Sequence, residues 1–181
     1  MLARPKTATP DPLKENFCPF ASFIFPPASP TGLTCLGALW RDGVLTALPT
    51  LGGNSGIATA VNSLGQVVGW AETNTKDPTC VAPQALDYYG VVWGPGNGEI
   101  RALAPLPGDA VSLATANNER GQVVGQSGPC ISPSVIFSGK FLPHGVIWGK
   151  GQATNLGSLG GTQATFPYPS TTKAKWWVNP T

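Results

Sequence analysis

The chain repeats one pattern three times, and this periodicity constrains its fold more than any other feature. In each copy a short apolar stretch ends in tryptophan and leads, after a turn, into a segment of the type Leu-x-x-Leu. The tryptophans are Trp40, Trp93 and Trp148, at intervals of 53 and 55 residues. A fixed period of roughly this length is typical of propellers and solenoids, in which each repeat is one supersecondary unit.

The composition favours a folded repeat scaffold. There are 23 glycines and 19 prolines, which approaches the level typical of disorder, but 41% of the residues are hydrophobic and the repeat is strict. The net charge of +2 is small and its lysines and arginines do not cluster, which argues against nucleic acid or a membrane surface as partner. No apolar run approaches the roughly 20 residues of a spanning helix.

Each repeat is predicted to form four short strands joined by tight hairpins, with almost no helix. The turn signals of the first copy are Asp42-Gly43 and Asn62–Gly65, and those of the second are Asn97-Gly98 and Asn118–Gly121. Such dipeptides between apolar runs tolerate the positive φ that a two-residue hairpin needs. We therefore predict an all-β fold of antiparallel four-stranded meander repeats, forming an incomplete β-propeller-like array. The meanders are expected near residues 36–72, 88–127 and 145–165.

The strand faces predict sheets that are covered on both sides. Along 66–72, Val67 and Ala71 point one way while Val68 and Trp70 point the other, so that both faces are apolar. The sheets are then expected to pack against one another as in a propeller or a solenoid. The repeated tryptophans are expected in the core between sheets, each with a partner for its indole N–H. The alternative for them is a platform that stacks on sugars.

At these residues the chain resembles the HAF family of bacterial extracellular repeat proteins. The best matches to its repeat are His144–Trp148 with Leu156–Gly161, and Ala60–Asn62 through Gly65–Gly69. The resemblance covers most of residues 31–165 and implies a secreted, propeller-like module with no established chemistry. The histidine position of this repeat holds Leu36 and Tyr89 in the first two copies, so His144 is interpreted as structural.

The domain organisation follows the repeat. The C-terminal stretch around Trp176-Trp177 breaks the pattern, but its codons, read in a shifted frame, can encode the missing Gly-Gln-Val-Val-Gly. We expect a frameshifted tail there, the alternative being an unrelated tail. Residues 1–4 lack the apolar core of a secretory signal, so either the protein is cytosolic or a signal lay upstream and was lost, and the family resemblance implies the loss. Five units are predicted. Residues 1–35 are a remnant loop of a preceding repeat, 36–87 are repeat 1 with its loop, and 88–144 are repeat 2 with its loop. A partial repeat 3 follows at 145–165 and the tail at 166–181.

The four cysteines fit an extracellular protein. Cys18, Cys80 and Cys130 take similar places in the inter-repeat loops, and Cys35 closes the first of these loops. A Cys18–Cys35 disulfide would staple one loop and Cys80–Cys130 would tie two neighbouring loops, but four cysteines allow three pairings. Free buried thiols are the alternative. Without a Cys-x-x-Cys motif, and with a single histidine, a zinc site is not expected.

No catalytic residue, cofactor site or metal site is predicted from the sequence. Asp77 and Asp87 share a loop and could bind calcium weakly, although turn formation explains them better. The leading hypothesis is a non-catalytic extracellular scaffold that binds a glycan or a protein through its inter-repeat loops, with partner contacts at Tyr88, Tyr89 and Phe141. Open sheet faces are expected to favour self-association. The alternatives are a polysaccharide-acting propeller enzyme and a gene fragment without function.

Overall fold

The computed structural model of the chain describes residues 2–3, 6–15, 32–95, 98–132, 142–150, 152–157, 168–170 and 175–177. This part of the chain contains fifteen strands and no helix, so the all-β prediction is confirmed. Accordingly, it offers no helix of the length and apolarity that crossing a membrane requires.

The strands are between 2 and 10 residues long. In chain order they are β1 (Leu2–Ala3), β2 (Lys6–Pro10), β3 (Leu33–Cys35), β4 (Ala38–Arg41), β5 (Val44–Ala47), β6 (Gly52–Val61), β7 (Val67–Lys76), β8 (Leu86–Trp93), β9 (Ile100–Leu103), β10 (Val111–Asn117), β11 (Val123–Gly128), β12 (His144–Gly149), β13 (Gln152–Asn155), β14 (Tyr168–Ser170) and β15 (Lys175–Trp177).

Three sheets carry the repeats. The first has the order β1-β4-β5, the second β6-β7-β8-β9 and the third β10-β11-β12-β13, all antiparallel. Two further pairs, β2-β3 and β14-β15, complete the described strands. The predicted four-stranded antiparallel meanders are confirmed, and the sheets form an open array instead of a closed barrel. The Asp42-Gly43 turn joins β4 to β5 with φ values of 51° and 81°, as its hairpin signal predicts.

The predicted bounds of the meanders are wrong by half a repeat. Instead of 36–72, 88–127 and 145–165, the complete sheets run from 52 to 103 and from 111 to 155, so that each combines the second half of one repeat with the first half of the next. The reason lies in the segment 48–51. It does not turn back along β5 but carries the chain to the next sheet, and its Leu48 is buried in the core between the two sheets.

The second sheet is buried on both faces, as its apolar pattern predicts. On one face Val67 and Trp93 pack with Leu48 of the first unit. On the other face Val68 packs with Val146 and Trp148 of the third sheet. The three sheets are therefore stacked in series along the chain.

Two of the three repeated tryptophans lie in this core. Trp93 and Trp148 are each 2% exposed, and their indole nitrogens donate to the carbonyl oxygens of Pro49 and Ala104, both at 2.8 Å and both 44 residues earlier in the chain. The prediction is wrong for Trp40, whose side chain is 48% exposed.

Steric constraints explain why the repeated Gln-Val-Val-Gly segment ends in glycine. Gly69 and Gly125 lie opposite positions where the strand register shifts, near Ala58 and Ala114 respectively. A Cβ at either glycine would overlap a carbonyl oxygen of the neighbouring strand, that of Ile57 or of Leu113. The bulge in the neighbouring strand therefore requires glycine.

The repeated Asn-x-x-Gly-Gln turns form a ladder between the second and third sheets. In each turn the asparagine Oδ1 accepts the backbone N–H of the glutamine, at 3.0 Å for Asn62 and Gln66 and at 3.1 Å for Asn118 and Gln122. The Asn62 Nδ2 also donates to the Asn118 carbonyl oxygen at 3.1 Å. The turns thus hold their own shape and hold neighbouring sheets together.

Candidate functional site

The inter-repeat loops meet at the end of the stack opposite the asparagine turns. We call this surface the loop rim, formed by residues 9–15, 77–86 and 129–132. The backbone N–H of Val81 donates to the carbonyl oxygen of Cys130 at 2.9 Å, which joins the second loop to the third. The backbone N–H of Leu86 donates to Glu15 Oε1 at 2.8 Å, which joins the first loop to the second. The loops therefore form one continuous surface.

A disulfide joins two of these loops covalently. Cys80 and Cys130 are bonded across 50 residues of sequence, with their Cα atoms 4.5 Å apart. Cys35 is also disulfide-bonded, and Cys18 lies outside the described residues. Closing a loop of this length restricts the unfolded chain and is typically worth about 2–4 kcal/mol of stability. The disulfide thus fixes the rim between the second and third loops.

A carboxyl pair lies beside this disulfide. Asp87 is buried, and both its burial and the negative charge of Asp77 raise its pKa to about 6. The hydroxyl and the backbone N–H of Thr79 donate to Asp77 Oδ1, both at 2.7 Å, and these hydrogen bonds lower the pKa of Asp77. The two side chains are hydrogen-bonded, so at a pH between the lowered pKa of Asp77 and about 6 a proton resides on Asp87 while Asp77 is ionised.

The same place offers few ligands for a metal ion. The sulfur atoms of Cys80 and Cys130 and a carboxylate oxygen of Asp87 lie within 4.8 Å of one another. Because the disulfide consumes both thiolates, the set retains only one metal-binding group, the Asp87 carboxylate.

A second carboxyl cluster is buried under the first loop, and the sequence analysis missed it. Asp11 and Glu15 on the loop and Glu72 on β7 are all buried. The Nε2 of Gln84 donates to Glu15 Oε1 at 3.1 Å and to Glu72 Oε1 at 3.3 Å. The one sequence signal for this cluster was Glu72, the acidic residue that follows the apolar stretch of β7. No local pattern connects Glu15 with Glu72.

The residues predicted to contact a partner differ in their exposure. Tyr88 is fully buried, and its hydroxyl donates to the carbonyl oxygen of Ile131 at 2.8 Å, so its predicted role in partner contact is wrong. The neighbouring Tyr89 is only partly buried, and burial together with the charges of Asp87 and Asp77 raises its pKa. Tyr89 therefore lies on the same side as the carboxyl pair of the rim. Phe141 lies outside the described residues.

A groove opens elsewhere, between the β4-β5 hairpin and the turn after β8. Its volume is about 460 Å³, its floor includes Trp93, and its charged lining residues are Arg41 and Glu99. The size is in the range of small-molecule sites.

His144 does not line this groove. Its Nδ1 lies 2.8 Å from Asp109 Oδ2, which ties β12 to the segment before β10 and is compatible with the structural interpretation of this histidine.

No protein-family model, no curated protein and no solved structure matches this chain.

Proposed function

We propose that the chain is a non-catalytic extracellular repeat scaffold that binds a polymer or a protein through its loop rim. The observation that carries the proposal is that three successive loops are tied to one another at one end of the stack, by the Cys80–Cys130 disulfide and by the buried Glu15 carboxyl. A surface held in one conformation loses little entropy on binding, which increases affinity.

The exposed groups of the rim fit a partner with both apolar and hydrogen-bonding surface. Val81 is 58% exposed, Tyr89 is partly exposed near Asp77 and Asp87, and Thr79 is an exposed hydroxyl residue of the same loop. An aromatic or aliphatic side chain beside carboxylate and hydroxyl groups suits the rings and hydroxyls of a glycan. We therefore place a polysaccharide first among the partners.

The geometry of the carboxyl pair favours binding over glycoside hydrolysis. Asp77 and Asp87 are directly hydrogen-bonded. The two carboxyl groups of a glycosidase lie about 5–9.5 Å apart, because they must flank the scissile bond. A pair in contact with each other leaves no room for that bond.

The disulfide supports the extracellular location. Disulfides persist in oxidising compartments and are rare in the reducing cytosol. The Cys80–Cys130 bond lies at the proposed binding surface, so the order of that surface depends on the compartment.

The test is binding of the full chain to an array of immobilised polysaccharides, compared between rim and control variants. We expect Val81→Ser and Tyr89→Ala to lower the affinity at least about tenfold for any polysaccharide retained, since a contact worth about 1.4 kcal/mol has that effect. Leu64→Ser is the matched control, because Leu64 is equally exposed but lies in the asparagine turn at the opposite end.

Two results would overturn the proposal. One is equal loss of binding in the Leu64→Ser variant. The other is hydrolysis of a polysaccharide that a single carboxylate substitution, such as Asp87→Asn, abolishes, since this would make the chain an enzyme.

A further inference from the structure

The first loop of the rim begins with a short strap, residues 9–15, that is shaped by its own aspartate. Asp11 Oδ1 accepts the backbone N–H of Leu13 at 2.9 Å, and Asp11 Oδ2 accepts that of Glu15 at 3.0 Å. Lys14 has a φ of 57°, which turns the chain tightly between them. This turn directs the Glu15 side chain into the neighbouring loop.

Glu15 fastens the strap to that loop. Its Oε1 accepts the backbone N–H groups of Ala85 at 2.7 Å and Leu86 at 2.8 Å and the Nε2 of Gln84 at 3.1 Å. The side chain is 2% exposed, and its Oε2 is buried without a hydrogen bond to the described part of the chain. A buried carboxylate oxygen that accepts no hydrogen bond gains little from ionisation, which favours a protonated form of the buried cluster.

Glu72 lies on the far side of the shared Gln84 amide. Its Oε2 accepts the backbone N–H groups of Ser55 at 2.9 Å and Asn54 at 3.1 Å, and its Oε1 accepts the Gln84 Nε2. The side chain is completely buried. The two glutamates are thus held in one buried site by a single donor between them.

Among the residues that the structure describes, the site has no compensating cation. Within the described residues none of Asp11, Glu15 and Glu72 makes an ion pair, and the residues that face them, Asn54 and Gln84 among others, are neutral. Asp11 is the further charged group that acts on the pair, and its charge is also negative. Two ionised glutamates cannot share such a site at low cost, so the buried pair retains a proton.

We propose that the strap is a proton-coupled latch: detachment of residues 9–15 from the loop at 84–86 releases one proton from the Glu15–Glu72 pair. In the closed state burial and mutual repulsion keep the proton on the pair. In the open state water solvates both carboxylates, and the proton leaves. Opening uncovers the Ala85 and Leu86 backbone donors and so changes the loop rim, independently of whether the rim binds a polymer.

The direction of the pH dependence follows from the pKa values. Burial, followed by the charge of Glu15, raises the pKa of Glu72 from 4.5 to about 8, and burial also raises that of Glu15. A group whose pKa is raised in the closed state stabilises that state fully below pH 4.5. This stabilisation is lost as the pH rises from there to about 8, and it does not change further above that value.

Hydrogen–deuterium exchange of the full chain tests the latch. The amides of Ala85 and Leu86 report local opening, and the amide of Val146, in the third sheet, reports global opening. After correction for intrinsic exchange, we expect the opening constant at Ala85 and Leu86 to rise about tenfold per pH unit between about pH 5 and about pH 8 and then to level off, because one proton is released. Val146 is expected to show no such slope.

Matched variants assign the proton. Glu72→Gln should reduce the slope at Ala85 to well under half, and the Glu15→Gln, Glu72→Gln double variant should abolish it. Glu119→Gln, which changes an exposed glutamate in a turn at the other end, should leave it unchanged. If Glu72→Gln does not fold, Glu15→Gln serves in its place.

A wild-type slope of zero at Ala85 and Leu86 would overturn the latch. So would the same slope at Val146, because the proton would then accompany global unfolding, and so would an unchanged slope in the double variant.

Discussion

Single residues in this protein matter most where two backbones approach each other. Gly125 lies in β11 opposite the bulge of β10, and a Cβ there would overlap the Leu113 carbonyl oxygen. At Gly149, at the end of β12, a Cβ would meet nothing within 4 Å, and no unusual φ is required. Both positions hold glycine, but only Gly125 is under steric constraint.

Gly125→Ala should therefore be severely destabilising and Gly149→Ala nearly neutral. We expect the free energy of unfolding to fall by roughly 2–3 kcal/mol or more for Gly125→Ala, because the strand must move away from its neighbour. For Gly149→Ala we expect a change within about 0.5 kcal/mol. Urea denaturation of both variants measures this, and equal stability of the two would contradict the steric interpretation.

Among the elements, the β4-β5 hairpin differs from the equivalent β8-β9 hairpin of the second sheet. Val44 and Leu45 on β5 are 62% and 46% exposed, beside the exposed Trp40. In the equivalent β9 the edge carries Arg101, whereas β5 carries no charge from Val44 to Ala47. An uncharged apolar edge strand is a template for pairing with another chain.

We expect this hairpin to promote self-association of the chain, as the open sheet faces suggest. Leu45→Lys places a charge on the edge and should keep the weight-average mass at the monomer value as concentration rises. Leu64→Lys is the control, because Leu64 is 60% exposed but lies in a turn instead of on a strand edge. Sedimentation velocity over a concentration series measures both, and a wild-type chain that stays monomeric throughout would contradict the prediction.

At the scale of the whole molecule, the sheets are linked by different devices at their two ends. At the asparagine end the ladder from Asn62 to Asn118 joins the second and third sheets through hydrogen bonds. At the rim the Cys80–Cys130 disulfide joins the loops of the same two sheets. The open stack therefore depends on cross-links as well as on its apolar core.

The Cys80→Ser, Cys130→Ser double variant should lose about 2–4 kcal/mol of stability, because the unfolded chain regains the entropy of a 50-residue loop. Thermal and urea denaturation without reductant measure the loss while the disulfide of Cys35 is kept. An unchanged midpoint would show that the loops are held without the covalent bond.

Several features of this fold follow from the sequence by itself. The period, the hairpin signals and the apolar pattern of 66–72 predict antiparallel four-stranded sheets that are buried on both faces. The two-sided burial of Val67 and Val68 agrees with this prediction. These properties are local or periodic, so they are visible in one dimension. The disulfide between Cys80 and Cys130 belongs to one of the three pairing schemes that four cysteines allow. The sequence does not choose among these schemes, because spacing alone does not determine which loops meet.

The tertiary structure decided which halves of the repeats share a sheet, which of two adjacent tyrosines is buried, and which carboxyl groups meet. Which strands share a sheet depends on where the connections 48–51 and 77–85 lead the chain. The course of these connections depends on tertiary packing. Tyr88 and Tyr89 alternate in a strand that is apolar on both sides, so the pattern does not distinguish them. Glu15 and Glu72 are brought together only because the first loop folds over the second, a contact between residues distant in sequence that no local pattern encodes.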